Sequence, residues 1–187
     1  MKRNGLMFVF LIFVLIDGVC QTESRINEIK LLYKNYNETI DNMDSYEIKY
    51  NTAGSYPSCT IFTDYSEKLL IKSVDAYEFG SEYVEYYVKN DTVQFVFFRS
   101  ERLLDHWSAD TVRFRKLELR FYLDKGQVIK ALKKDFIGIE GKNDNVDMSS
   151  IRNTEIDYKF DFDSNWIDLE YKCKNTIELY WKLRDIF

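Results

Sequence analysis

Two segments thirty-five positions apart spell nearly the same β-hairpin: Glu85-Tyr86-Tyr87-Val88-Lys89-Asn90-Asp91-Thr92-Val93 and Arg120-Phe121-Tyr122-Leu123-Asp124-Lys125-Gly126-Gln127-Val128. Each copy is an apolar run, a short polar break and a second apolar run, as two strands joined by a tight turn require. The recurrence constrains the chain to an antiparallel sheet of tandem aromatic hairpins. A third, less regular copy runs from Thr60-Ile61-Phe62 through Asp64-Tyr65-Ser66 to Leu69-Leu70-Ile71. Period-2 segments predict strands near 46–50, 58–63, 69–77, 82–88, 93–99, 111–123 and 128–136. Pro57 is the single proline, so long ladders meet no other residue lacking a backbone donor.

Residue parity predicts the faces. With Asn90-Asp91 and Lys125-Gly126 central in two-residue turns, Val88 faces Val93, Tyr86 faces Phe95 and Val84 faces Phe97. In the second hairpin Leu123 faces Val128 and Leu119 faces Leu132. One face is then almost wholly apolar, with Lys130 the exception. The other carries Tyr83, Glu85, Tyr87, Gln94 and Phe98, then Glu118, Arg120, Tyr122, Ile129 and Lys133. A three-residue turn at 124–126 is the competing register, and a one-residue slip would exchange the faces of one strand. Apolar residues fall on even numbers at Val112 and Phe114 but on odd numbers from Leu117, which predicts a bulge near Arg115-Lys116.

Helical spacing flanks the strands. Ile26, Ile29, Leu32, Tyr33, Tyr36, Ile40 and Met43 recur by threes and fours, with Thr22 or Ser24 as the expected cap. Near the C-terminus a strand at 157–162 precedes a second helix with the stripe Trp166, Leu169, Cys173, Ile177 and Tyr180. Residues 137–156 are mostly polar and predict a long surface connection. These elements imply an α+β fold: an antiparallel meander whose apolar face is covered by N- and C-terminal amphipathic helices.

The N-terminus predicts export. Lys2-Arg3, the apolar run Gly5 to Ile16 and the small-residue end Gly18-Val19-Cys20 form a signal peptide over 1–20, leaving 21–187 as one extracytoplasmic domain, periplasmic or secreted. The apolar run is too short to span a bilayer, which takes about 20 residues. Cys20 raises a lipoprotein alternative with a lipid anchor, but Asp17 and Val19 stand where such a signal wants a Leu-like and a small residue, so ordinary cleavage is preferred. In an oxidising compartment Cys59 and Cys173 have two readings, a disulfide worth about 3–5 kcal/mol or two small buried hydrophobes.

Signatures of chemistry are sparse. His106, the only histidine, lies in Leu104-Asp105-His106-Trp107-Ser108 with Asp110 nearby, and this run lacks the nucleophile elbow and Gly-rich segment of a hydrolase. Asn143-Asp144-Asn145-Val146-Asp147 and Asp161-Phe162-Asp163-Ser164-Asn165 imitate calcium loops but place Met148 or Trp166 where the turn needs glycine. No metal or cofactor is expected. Glu82, Glu85 and Glu118 have no spacing that singles out an acid–base pair. A net charge of −5 without a basic run argues against nucleic acid. Asn37-Glu38-Thr39 and Asn90-Asp91-Thr92 are glycosylation sequons, relevant in a eukaryotic secretory path.

The second hairpin, with its Asp124-Lys125-Gly126 turn, and the first, where Asp91 replaces the glycine, resemble a loose group of uncharacterised secreted proteins of Bacteroidota-type bacteria. The resemblance implies no activity. The expectation is a non-enzymatic module that binds a protein or glycan through Tyr83, Glu85, Tyr87, Phe98, Arg120 and Tyr122, or through the 137–156 connection. The alternatives are a hydrolase built from carboxylates and tyrosines of that face and a lipid-anchored structural protein of the envelope.

Overall fold

The computed structural model describes residues 4–49, 58–64, 68–104, 112–139, 141 and 146–156, with 4–20, 48 and 49 described by backbone alone. Asn90 and Asp91 have φ of 50° and 56°, and Lys125 and Gly126 have 49° and 78°. Positive φ at both central residues makes type I′ turns, whose twist matches that of paired strands. Turns this tight return each strand beside its predecessor. Eight antiparallel strands accordingly lie in chain order: β1 (Asp44–Lys49), β2 (Ser58–Thr63), β3 (Lys68–Tyr77), β4 (Gly80–Lys89), β5 (Thr92–Leu103), β6 (Arg113–Asp124), β7 (Gln127–Ile139) and β8 (Thr154–Glu155). The strands expected from period-2 patterning are present, and the irregular third hairpin forms with Ile61 facing Ile71.

Both repeated hairpins carry the same bulge. The register shifts between Tyr87 and Val88 and between Tyr122 and Leu123. Gln94 and Ile129 are left unpaired, again thirty-five positions apart. One extra residue turns over every side chain beyond it. Tyr86 therefore faces Val96 rather than Phe95, Val84 faces Phe98 rather than Phe97, and Leu119 faces Lys133 rather than Leu132, which sets Glu118 opposite Lys134. Lys130 leaves the expected apolar face for the other, where it meets Glu23 at 3.6 Å and Glu155 at 3.4 Å.

The bulge expected near Arg115-Lys116 does not occur, because β5 and β6 pair in unbroken register from Leu103–Phe114 to Phe95–Tyr122. The parity change has another cause. Phe114 is buried on one face, against Phe136 at 6.1 Å between ring centroids, while Leu119, Phe121 and Leu123 are buried on the other.

Both faces hold a core. Cys59, Ile61, Ile71, Val84, Tyr86, Val96, Phe98, Leu119 and Phe121 form the larger cluster, with Ile156 packed against it. The second joins Ile26, Ile29 and Tyr36 of α1 (Asn4–Thr39) to Leu70, Tyr87, Phe95 and Tyr122. Each fully buried large apolar side chain contributes about 1.5–3 kcal/mol. The N-terminal helix thus covers the tyrosine-bearing face, not the Val84–Tyr86 face on which it was expected. The bulges explain this, since they turn Phe95 to the tyrosine side and make the turn end of that face apolar. Thr22 and Ser24 lie inside α1, which runs unbroken from Asn4, rather than capping it. A 3-10 turn, Ile40–Asn42, leads from α1 to β1.

Within 137–156, β7 runs on to Ile139, and a 3-10 turn at Met148–Ser150 is capped by Asp147, whose carboxylate accepts from the Ser149 amide at 2.8 Å. The expected strand at 157–162 and helix from 163 lie outside the described residues. Among the described residues no helix is long and apolar enough to cross a membrane.

Candidate functional site

Strand alternation carries the helix-bearing face beyond α1 as three cross-strand rows. The first is Lys72, Glu85, Phe97, Arg120 and Leu132; the second is Val74, Tyr83, Arg99, Glu118 and Lys134; the third is Ala76, Ser81, Glu101, Lys116 and Phe136. The outer rows floor an open groove of about 800 Å³, walled on one side by residues 146–149.

Glu85 is buried and fully engaged. Its Oε1 accepts from the Tyr83 hydroxyl at 2.5 Å and lies 3.0 Å from Lys72 Nζ, while Oε2 accepts from the Tyr87 hydroxyl at 2.7 Å. Burial, reinforced by the Glu85 charge, pushes both phenols well above the usual tyrosine range. Both remain protonated donors at neutral pH. Asn37 of α1 donates to the Tyr87 hydroxyl at 3.1 Å, tying the helix to this network.

Glu118 is buried and accepts from Arg120 Nη2 at 2.9 Å, and Arg120 Nη1 donates to Asn153 Oδ1 at 2.6 Å. Lys134, also buried, donates to the Met148 carbonyl at 2.5 Å and holds the 3-10 turn against the sheet. Arg99 lies over the Tyr83 ring at 5.2 Å and Arg120 over Phe97 at 5.4 Å.

The structure divides the six residues expected to bind. Tyr83 and Arg120 are brought together in the groove lining, and Glu85 is buried in the row beside it, joined to the groove through the Tyr83 hydroxyl. Tyr87 touches the same carboxylate but is sealed beneath α1, and Tyr122 is sealed there too, 5.0 Å from Phe95 between ring centroids. Phe98 lies in the core of the opposite face, carried there by the Gln94 bulge. Arg99 and Lys134 were missed by parity, while Asp147 belongs to the 137–156 connection named as the alternative binding surface. A bulge at Gln94 would have placed Arg99 on this face, but the sequence Val93-Gln94-Phe95-Val96-Phe97-Phe98 is apolar at both parities and carries no phase.

Cys59 is a buried free thiol that desolvation pushes up to about 11. Cys173 lies outside the described residues, as do His106, Asp110, 142–145 and the second acidic run. The groove therefore offers rings, fixed donors and neutralised carboxylates. Of the lining carboxylates Glu118 accepts from Arg120 and Asp147 from Ser149, while the exposed Glu101 lies 3.8 Å from Lys116. Comparison with protein-family models, curated proteins and solved structures finds no match to this chain.

Proposed function

We propose that the protein is a non-enzymatic binding module acting outside the cytoplasm, and that it takes a protein segment or glycan in the groove of Tyr83, Arg99, Glu118, Arg120 and Lys134. The observation that carries this reading is the engagement of the carboxylates in and beside the groove: Glu85, in the row next to the floor, meets three donors and Glu118, in the floor, is held by Arg120. Carboxylates held by lysine, arginine and tyrosine donors weigh against the hydrolase alternative. They make a rigid floor, because fully satisfied buried networks hold one geometry.

Export is supported by Lys2-Arg3, the apolar run Gly5 to Ile16 and Gly18-Val19-Cys20. The mature N-terminus, read by mass spectrometry, separates ordinary cleavage from lipidation at Cys20. A C-terminal helix with the stripe Trp166, Leu169, Cys173, Ile177 and Tyr180 would suit the Val84–Phe121 face and complete the two-helix cover.

The binding reading is tested by retention of partners from envelope extract on wild-type protein and on Ser149→Trp, which fills the groove from an exposed wall position. A partner retained by wild type and lost from the variant is expected. Equal retention by both, or hydrolysis of a glycan or peptide library without retention, overturns it.

A further inference from the structure

Around Arg99, the other charged side chains of the groove each have a polar partner. Glu82 pairs with Arg102, Glu101 lies 3.8 Å from Lys116, Glu118 is 2.9 Å from Arg120, Lys134 donates to the Met148 carbonyl and Asp147 accepts from the Ser149 amide. Arg99 stands opposite Glu118 in the ladder, yet the Glu118 carboxylate is bonded to Arg120 instead. Among the described residues no carboxylate lies within ion-pair distance of Arg99. Its guanidinium is exposed and rests on the Tyr83 ring, in the row that borders the groove centre.

A planar guanidinium stacked on a ring with its N–H fork unfilled is preorganised for a carboxylate, which it meets with two parallel bonds. The net charge of −5 does not oppose this, because screening over about 8 Å leaves the local cation dominant.

The rest of the lining indicates what carries the carboxylate. Glu101, Glu118 and Asp147 offer acceptors, and Lys116, Arg120 and Lys134 offer donors, along one concave strip. Of the exposed large apolar residues, Val74 alone among the described residues lies at the groove, while Leu31, Tyr33, Tyr46, Leu104 and Ile137 lie outside it. A protein partner would anchor through buried aromatic or aliphatic groups. A hydroxylated chain instead matches alternating donors and acceptors.

We propose that the groove binds an acidic oligosaccharide, with Arg99 gripping the carboxylate of a uronate residue. The proposal rests on the groove being a binding site and names its ligand class. The test is titration of isotopically labelled protein with tetramers of galacturonate, mannuronate, guluronate and glucuronate, with their methyl esters, and with an acidic peptide, followed by nuclear magnetic resonance. At least one uronate tetramer shifts the resonances of Tyr83, Arg99 and Ser149. Esterification and Arg99→Gln each weaken binding about tenfold or more, and Arg99→Lys weakens it less.

Equal binding of acid and ester, or no change in Arg99→Gln, overturns the role of Arg99 while leaving the groove a glycan site. Shifts with the acidic peptide alone overturn the glycan assignment and leave a binding module. No shift with any uronate overturns the proposal outright, and the Ser149→Trp retention experiment then decides the underlying reading independently.

Discussion

The helix-bearing face of the sheet has two halves made by the same strands, and they differ in almost every physical respect. Near the turns Leu70, Tyr87, Phe95 and Tyr122 pack dry beneath Ile26, Ile29 and Tyr36, and Tyr33 joins them at 5.0 Å from Tyr87 and 5.3 Å from Phe95 between ring centroids. Two residues further along β4, Tyr87 gives way to Glu85 and then to Tyr83, and the face opens into a charged groove. Glu85 is the boundary, for it accepts from a tyrosine on each side. A strand face can thus change from core to site within one alternation, provided the polar group at the border is completely satisfied.

The largest expected break in this contrast is Tyr87→Ala. Removing a ring buried under α1 should cost about 3–5 kcal/mol, read as a lowered urea midpoint. Tyr83→Ala, in the groove half, should cost less than half as much. Equal losses would mean that the two halves share one cooperative core.

Alkali probes the boundary itself. The phenols of Tyr83 and Tyr87 are raised by burial and by Glu85, so in the folded state they hold protons that the unfolded chain releases above about pH 10. The contribution is intact below that pH and is lost as pH rises through the folded values. Stability should therefore fall from about pH 10 upward, and Tyr87→Phe should fall less steeply, as equilibrium unfolding against pH would show. An unchanged slope would place Tyr87 outside the linkage.

Gly80 tests the far end of the groove half. A Cβ there would run into the Glu101 carbonyl across the β4–β5 pair, so Gly80→Ala should destabilise by about 1–3 kcal/mol on thermal or urea unfolding. The turns separate backbone effects from packing. No atom would meet a Cβ on Gly126, yet its φ of 78° makes Gly126→Ala cost about 1 kcal/mol. Asp91→Gly should gain about 0.5 kcal/mol by relieving φ of 56° in the other hairpin. If both changes are silent in urea unfolding, the turns do not limit stability.

Much of the fold could be read along the chain. The strand segments, both type I′ turns and the buried positions Ile26, Ile29 and Tyr36 follow from periods and turn residues that act over a few neighbours. The bulges could not be read, because β5 is apolar at both parities and its alternation has no phase after Gln94. That single unseen residue misassigned Phe98 to the surface, hid Arg99 and put α1 on the wrong face. Of the expected site, Tyr83, Glu85 and Arg120 were legible because they precede the bulge in β4 or lie in the continuous register of β6. Tyr87 and Tyr122 also fell on the predicted face, but their burial depended on where α1 docks.

Local chemistry thus specifies which residues are strand, turn and helix, since hydrogen-bond geometry and side-chain period are properties of short segments. Contacts across the ladder assign everything that concerns the site. Whether Glu118 turns to Arg120 or to Arg99, whether a tyrosine is lining or core, and which face a helix covers are settled between residues far apart in the chain. A one-residue register change reverses each of these outcomes without altering the amphipathic pattern that announced the sheet.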